Sequence, residues 1–112
     1  MSVPMEIRVA RSEGADGPAV ARVSGPLTIY AAAEARTVLL GTLRDTAGLD
    51  IDLTSVTELD TAGVQLLVAL TREAARLGKS LRVAACGDAA RRVIDRYGLG
   101  ANLDVIPPES RA

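Results

Sequence analysis

Segments with the periodicity of strands and segments with the periodicity of helices alternate along this 112-residue chain. Two strand-like runs come first, and the order then becomes helix, strand, helix, strand, helix. A strand–helix–strand unit joins two parallel strands through a right-handed crossover and packs its helix on the sheet. The sequence therefore predicts one α/β domain over residues 1–112, with its core at about residues 5–106. We expect a mixed sheet of four to five strands packed with three to four helices.

Alternating apolar and charged residues mark the two opening strands. In "MEIRVAR" the side chains of Met5, Ile7 and Val9 alternate with charged ones, and "AVARVSG" follows after the turn-forming run "SEGADGP". Two such runs joined by a turn predict an antiparallel hairpin, with "GPLTIY" as its exit loop. Further short strands are predicted at "LDIDL", at "SLRVAAC" and at "LDVIPP", which two prolines end. The segment "TSVTELD" is expected to lead out of the strand "LDIDL".

Three segments have the spacing of amphipathic helices, and a glycine follows each of them. The first covers about residues 31–47 and stops before Gly48, and the second covers about residues 61–77 and stops before Gly78. The third is "GDAARRVIDRY", which stops before Gly98. Its inward-facing residues are expected to be Ala90, Val93, Ile94 and Tyr97.

The composition argues against nucleic-acid binding, membrane insertion and catalysis. The net charge is −1 and Tyr30 and Tyr97 are the only aromatic residues, so a basic surface and stacking platforms are both missing. No apolar stretch approaches the ~20 residues that span a bilayer, and no secretion signal is recognisable. The single cysteine suits a reducing compartment, so we expect a cytoplasmic protein. The absence of histidine removes the commonest general base and metal ligand. We therefore expect neither an enzyme nor a bound cofactor.

Cys86 and four acidic residues each allow two interpretations. Cys86 precedes the predicted third helix, whose positive N-terminus would favour a reactive thiolate, but its alanine neighbours favour a buried and inert side chain. Asp50, Asp52, Glu58 and Asp60 would have to gather from a strand and its exit segment to bind a divalent cation. Solvated polar positions explain these four residues more simply, and we expect no metal site.

The stretch "TELDTAGVQLL", residues 57–67, places an acid, a hydroxyl and a glycine ahead of an apolar run. Thr61 falls at the predicted start of the second helix, where backbone N–H groups lack partners and the helix dipole is positive. In one interpretation the hydroxyl accepts a phosphate, which would bond those N–H groups while Asp60 and Glu58 repel it. In the other, Asp60 or Thr61 is simply the helix N-cap, the commoner case, which contributes roughly 1 kcal/mol. The residues alone leave both interpretations open.

The surroundings of this stretch carry a family resemblance. The run "IDLTSVTELDTAGVQLLVALTREAARLGKSLRVAAC", with "GPLTIYAAAEAR" before it and "RRVIDRYGLG" after it, resembles the STAS domain family of anti-sigma factor antagonists. The most specific element is an Asp-Leu-Ser/Thr strand end followed by Asp-Ser/Thr-x-Gly at a helix start. Here these are Asp52-Leu53-Thr54 and Asp60-Thr61-Ala62-Gly63. The similarity covers nearly the whole chain.

The resemblance implies regulation through a protein partner. An unphosphorylated antagonist of this family binds an anti-sigma factor that is also a serine kinase, and phosphorylation of the antagonist breaks the complex. The usual acceptor precedes the motif glycine, and here that residue is Ala62, which has no hydroxyl. Either Thr61 is the acceptor or a phosphate-like polar contact, or the domain has lost the switch and docks constitutively. The "DTAG" pattern is also similar to STAS modules beside chemotaxis arrays and to the STAS subunit of the phospholipid-trafficking ABC transporter, whose partner would be an ATPase subunit.

Partner contacts are expected on one surface around Thr61. Residues 54–63 would form a loop, and the exposed face of the second helix would complete the patch because the opposite stripe is committed to the sheet. The residues assigned to this patch are Thr54, Ser55, Glu58, Asp60, Thr61, Ala62, Gly63, Val64, Gln65 and Val68. A site for a small anion or nucleotide at the same helix end is the remaining alternative.

Overall fold

A computed structural model of the protein describes residues 3–11, 17–99, 103 and 105. This part of the chain forms, in order, β1 (Glu6–Ala10), β2 (Ala19–Leu27), α1 (Ala32–Asp45), β3 (Gly48–Leu59), α2 (Thr61–Leu77), β4 (Ser80–Cys86) and α3 (Asp88–Arg96). The predicted order of strands and helices is confirmed. Across the described ranges, no helix has both the length and the apolar character needed to cross a bilayer.

The strands form one mixed sheet in the order β1-β2-β3-β4. β1 and β2 pair antiparallel, as the predicted hairpin requires, although residues 12–16 of its turn lie outside the described part of the chain. β2 with β3 and β3 with β4 pair in parallel. α1 and α2 contact each other and so lie on the same face of the sheet, as two crossovers of the usual right-handed kind in this strand order require. The carboxyl ends of β2 and β3 therefore lie beside the N-terminal ends of both helices.

The core between helices and sheet is built from aliphatic side chains. Along β2 and the first half of β3, buried residues alternate with more exposed ones, which matches the period-two pattern of the sequence. The helices add four fully buried leucines, Leu39, Leu43, Leu67 and Leu70. Polar pairs stand outside this core: Arg82 donates to Asp50 from Nε at 3.1 Å and from Nη2 at 2.9 Å.

β2 and β3 both extend further than the sequence pattern indicates. The letters "GPL" of the predicted exit loop belong to β2, and residues 54–59, which were expected to leave the sheet, continue β3. The pairing of β2 with β3 shifts register twice between Arg22 and Pro26. Each shift inserts an extra residue into β3, so the buried side chains of Leu53, Val56 and Leu59 fall three positions apart. The loop prediction for residues 54–59 is therefore wrong.

The glycines that follow the helices have different roles. Gly78 and Gly98 adopt the left-handed conformation, with φ of 68° and 64°, and are the helix stops that the sequence predicts. The first helix instead ends before Thr46, whose backbone is extended. Gly48 is the first residue of β3, and a Cβ atom there would collide with Ser80 on β4. The prediction that Gly48 stops the first helix is wrong, because this glycine permits a close approach between two strands.

α3 runs alongside the part of β3 that extends beyond β4. Its N-cap, Gly87, donates a backbone hydrogen bond to the carbonyl of Leu53 at 3.4 Å. Three of the four residues that were predicted to face inward are buried or partly buried: Ala90, Val93 and Ile94. The fourth, Tyr97, is 53% exposed. It lies just past the end of α3 and leaves the buried stripe, so the inward prediction for Tyr97 is wrong.

The last predicted strand is represented by one residue pair. Val105 forms a single parallel bridge with Val83 of β4, and Leu103 is buried in the core. Residues 104 and 106–108 of the predicted strand "LDVIPP" lie outside the described residues.

Candidate functional site

Asp60 connects the start of α2 to the loop between β2 and α1. It is the N-cap of α2, since its Oδ1 accepts a hydrogen bond from the amide of Gly63 at 3.0 Å. Its Oδ2 accepts a second bond, at 2.9 Å, from the amide of Ile29 in the neighbouring loop. Of the two N-cap candidates, Asp60 rather than Thr61 therefore occupies the cap. One carboxylate holds together two chain segments at the carboxyl edge of the sheet, the edge at which the C-terminal ends of β2 and β3 lie.

Thr61 leaves its hydroxyl at the surface. It is the first residue of α2 and is exposed, and its Oγ1 lies 3.4 Å from the hydroxyl of Tyr97, with either group able to donate. The amides of Gly63 and Val64 already donate to the side chain and the carbonyl of Asp60. A phosphate on Thr61 would therefore meet the Asp60 carboxylate instead of open donors at those two positions. This arrangement favours repulsion over capture of the phosphate.

Gly63 lets α2 pack directly on the end of β2. A Cβ atom at this position would collide with the carbonyl oxygen of Leu27 and with the side chain of Leu59. The φ angle of Gly63 is not positive, so space rather than backbone freedom is what requires a glycine here. The motif glycine thereby sets how closely the start of α2, and with it Thr61, approaches the sheet.

Exposed apolar and aromatic side chains lie at the same edge of the sheet as Thr61. Ile29 and Tyr30, in the loop that Asp60 holds, are 68% and 97% exposed. Thr61, Gln65 and Tyr97 line a hollow of about 480 Å³ between α2 and the end of α3. We call these five residues, Ile29, Tyr30, Thr61, Gln65 and Tyr97, the carboxyl-edge patch. The patch contains both tyrosines of the chain, and tyrosine is enriched among the residues that dominate binding energy at protein interfaces.

The predicted contact residues on β3 are spread along the strand. Thr54 and Ser55 are exposed, but they lie level with the start of α3, up to ~20 Å along the strand from Asp60. Glu58 is also exposed and stands near the end of β3, opposite Pro26. The structure thus places Glu58 near the end of β3 that precedes Thr61 and keeps Thr54 and Ser55 at a distance.

The predicted contact residues on α2 differ in their accessibility. Gln65 is exposed, whereas Ala62 and Val68 are half-buried. Val64 is only 6% exposed and belongs to the hydrophobic core. Val64 lines the base of the hollow beside Thr61, but its low exposure offers a partner little surface, so the expectation that Val64 lies on the exposed face of the helix is wrong.

Three of the four carboxylates considered for a cation, those of Asp50, Asp52 and Asp60, are engaged in separate interactions. Asp50 pairs with Arg82, and Asp52 lies 3.8 Å from the guanidinium of Arg22. Over the described residues, no group of three or more His, Cys, Asp or Glu side chains is arranged to hold a metal ion. Cys86 is 8% exposed at the end of β4 and is part of the core.

Sequence reasoning missed the contribution of Ile29 and Tyr30. Both lie between β2 and α1, and a large apolar pair in a connecting loop is an unusual signal in a chain with two aromatic residues. Their loop is joined to the start of α2 by the bond from Ile29 to Asp60, 31 residues further along the chain. No periodicity in the sequence reveals such a contact.

Comparison with known proteins identifies the family. The family model described as "Mlab, STAS domain" matches residues 10–107. The chain belongs to the STAS domain family. In this STAS domain, the Asp-Thr-x-Gly motif is the segment that caps α2 and carries Thr61. A search among curated protein sequences finds no significant match.

Solved structures agree with the family assignment. An anti-sigma factor antagonist from Mycobacterium paratuberculosis is similar with a TM-score of 0.79 and 25% identity, over 96% of this chain and 91% of that one. The anti-sigma factor antagonist SpoIIAA in its unphosphorylated form gives a TM-score of 0.72 at 17% identity, over 93% and 90% of the two chains. The phosphorylated form of the Bacillus cell fate determinant SpoIIAA gives 0.67 at 17% identity, over 93% and 94%. This STAS domain is accordingly a regulatory, non-enzymatic domain with the fold of anti-sigma factor antagonists.

Proposed function

We propose that this STAS domain binds a regulatory protein, a serine kinase or anti-sigma factor, through the carboxyl-edge patch, and that phosphorylation of Thr61 controls the complex. The supporting observation is the exposed Thr61 hydroxyl, held between the capping residue Asp60 and the Tyr97 hydroxyl. The similarity to an anti-sigma factor antagonist at 25% identity supports this class of partner. The cytoplasmic location expected from the sequence suits such a role.

A phosphate on Thr61 would change both the charge and the shape of the patch. It adds a charge of roughly −1.5 to −2 at neutral pH, directly beside Asp60. The Tyr97 hydroxyl lies 3.4 Å from Thr61 Oγ1, so a phosphoryl group on that oxygen would displace the tyrosine ring. A partner seated on the patch would then face added negative charge and a moved aromatic side chain. Unfavourable charge juxtaposition at an interface costs several kcal/mol, which is sufficient to release a modest complex.

The test combines phosphorylation with binding. Incubation with the cognate serine kinase and ATP should add one phosphate, mapped to Thr61 by mass spectrometry, and Thr61→Ala should abolish the addition. Thr61→Ala should keep partner affinity, whereas Thr61→Glu should weaken it roughly tenfold or more. Thr37→Glu is the matched control, because Thr37 is exposed on α1 and the charge change is the same. Equal affinities of Thr61→Ala and Thr61→Glu would exclude Thr61 as the control point.

A second candidate function is that of an accessory subunit on the ATPase of an ABC transporter. It is favoured by the matching family model, described as the Mlab STAS domain, and by the resemblance of the "DTAG" motif to the STAS subunit of a phospholipid-trafficking transporter. In this case the carboxyl-edge patch would dock constitutively. Stable co-purification with the ATPase subunit, unaffected by kinase and ATP, would favour this function over the phosphorylation-controlled one.

A further inference from the structure

A second hollow opens beside the carboxyl-edge patch, on the side of β1. Its volume is about 560 Å³, and it lies between the chain ahead of β1, the ends of β2 and β3 and the start of α1. Met5 and Pro26 contribute apolar wall, and Tyr30, Glu34 and Glu58 line the rest. Tyr30 belongs both to this hollow and to the patch, so a partner on the patch would reach the hollow as well.

Two carboxylates give the hollow a negative lining. Glu34 and Glu58 are both exposed, and within the described ranges neither has an ion-pair or side-chain hydrogen-bond partner, in contrast to Asp50 and its bidentate arginine. Glu34 lies in the first turn of α1, where an acidic residue stabilises the helix. Glu58 lies on β3, opposite Pro26 of β2, so stabilisation of a helix does not account for its carboxylate. The described lining contains no basic side chain.

The ring of Tyr30 adds an aromatic face to this lining. Its side chain is 97% exposed, so burial in the core does not account for it. A cation placed over a tyrosine ring is attracted by roughly 0.5–1 kcal/mol at an exposed site. An apolar wall, two carboxylates and an aromatic face together suit a long cationic side chain. Arginine fits best, because its planar guanidinium pairs with carboxylates and stacks on rings while its aliphatic stem packs on apolar surface.

We infer that this hollow receives an arginine side chain of the protein that docks on the carboxyl-edge patch. The inference rests on the proposed function in taking the partner to be a regulatory protein. The chemistry of the hollow, and not the state of Thr61, selects the arginine.

The test uses the whole domain and a defined probe. The ¹⁵N-labelled protein is titrated with the peptide acetyl-Ala-Arg-Ala-amide, and separately with the same peptide carrying citrulline, the uncharged isostere of arginine. The arginine peptide should give saturable chemical-shift changes at the amides of Tyr30, Glu34 and Glu58, which weaken as salt is added. The citrulline peptide should give none.

Substitutions locate the binding. Glu34→Gln and Glu58→Gln should each raise the dissociation constant roughly three- to fivefold. Tyr30→Leu should weaken binding and Tyr30→Phe should preserve it, because only the second keeps the ring. Asp45→Asn is the matched control at the far end of α1, and it should leave the constant unchanged. Absence of saturable shifts, or equal binding of the citrulline peptide, overturns the inference. Because neither kinase nor phosphate enters this assay, such a result is distinct from failure of the phosphorylation control.

Discussion

Removal of the Asp60 carboxylate tests whether one side chain holds the carboxyl edge together. The substitution Asp60→Ala deletes the N-cap bond to Gly63, which is worth about 1 kcal/mol. It also deletes the bond from the amide of Ile29, for which about 1 kcal/mol is typical. The expected loss in the free energy of unfolding is therefore about 2 kcal/mol, which lowers Tm by about 8 °C in a domain of this size. Urea denaturation and calorimetry measure both quantities.

Two further variants separate this explanation from a general effect of charge. Asp60→Asn keeps one carbonyl oxygen and can serve only one of the two amides, so it should lose about 1 kcal/mol. Asp45→Ala removes an exposed carboxylate whose nearest cation, on Arg11, is 3.9 Å away, and it should change stability by less than about 0.5 kcal/mol. The amide of Ile29 should exchange faster in Asp60→Ala. A loss below roughly 0.5 kcal/mol in Asp60→Ala would refute the proposed bridge.

Four further outcomes follow from local geometry. Gly63→Ala should cost about 1–3 kcal/mol in urea denaturation, because its Cβ would collide with β2, and a neutral result would contradict that contact. Gly41→Ala should instead stabilise the domain by about 0.5–1 kcal/mol in the same assay, since Gly41 lies within α1 and a Cβ atom there would meet nothing within 4 Å. A loss of stability would show an unrecognised contact. Leu70→Ala should cost about 2–5 kcal/mol, because the side chain is fully buried, and a loss under 1 would place it outside the core. Thr61→Ala should change unfolding by less than about 0.5 kcal/mol, because its hydroxyl is exposed and does not cap the helix; a larger loss would assign it a structural role.

The bounds of α2 could be read from the sequence because several local signals coincide there. An apolar stripe runs from the Asp-Thr-x-Gly motif to a glycine, and the helix occupies residues 61–77 as predicted. Gly78 adopts a left-handed φ and ends the helix where the sequence predicts. Elements with a regular period and a chemical signal at each end are therefore predictable from a single sequence.

The second half of β3 could not be read in the same way. Its two register shifts replace the alternation of buried and exposed residues with a spacing of three, so "TSVTELD" has no strand period. The candidate site was only partly predictable for a related reason. Thr61 and Asp60 belong to a local motif, whereas Ile29 and Tyr97 reach them through contacts 31 and 36 residues apart.

The helix beside the extension of β3 limits how another chain can attach there. β4 pairs with β3 only as far as Leu53, and α3 then occupies the flank of the longer strand. A peptide in extended conformation could otherwise join such a flank by main-chain hydrogen bonding, which tolerates many sequences. With that route obstructed, recognition on this side depends on side-chain chemistry rather than on main-chain pairing.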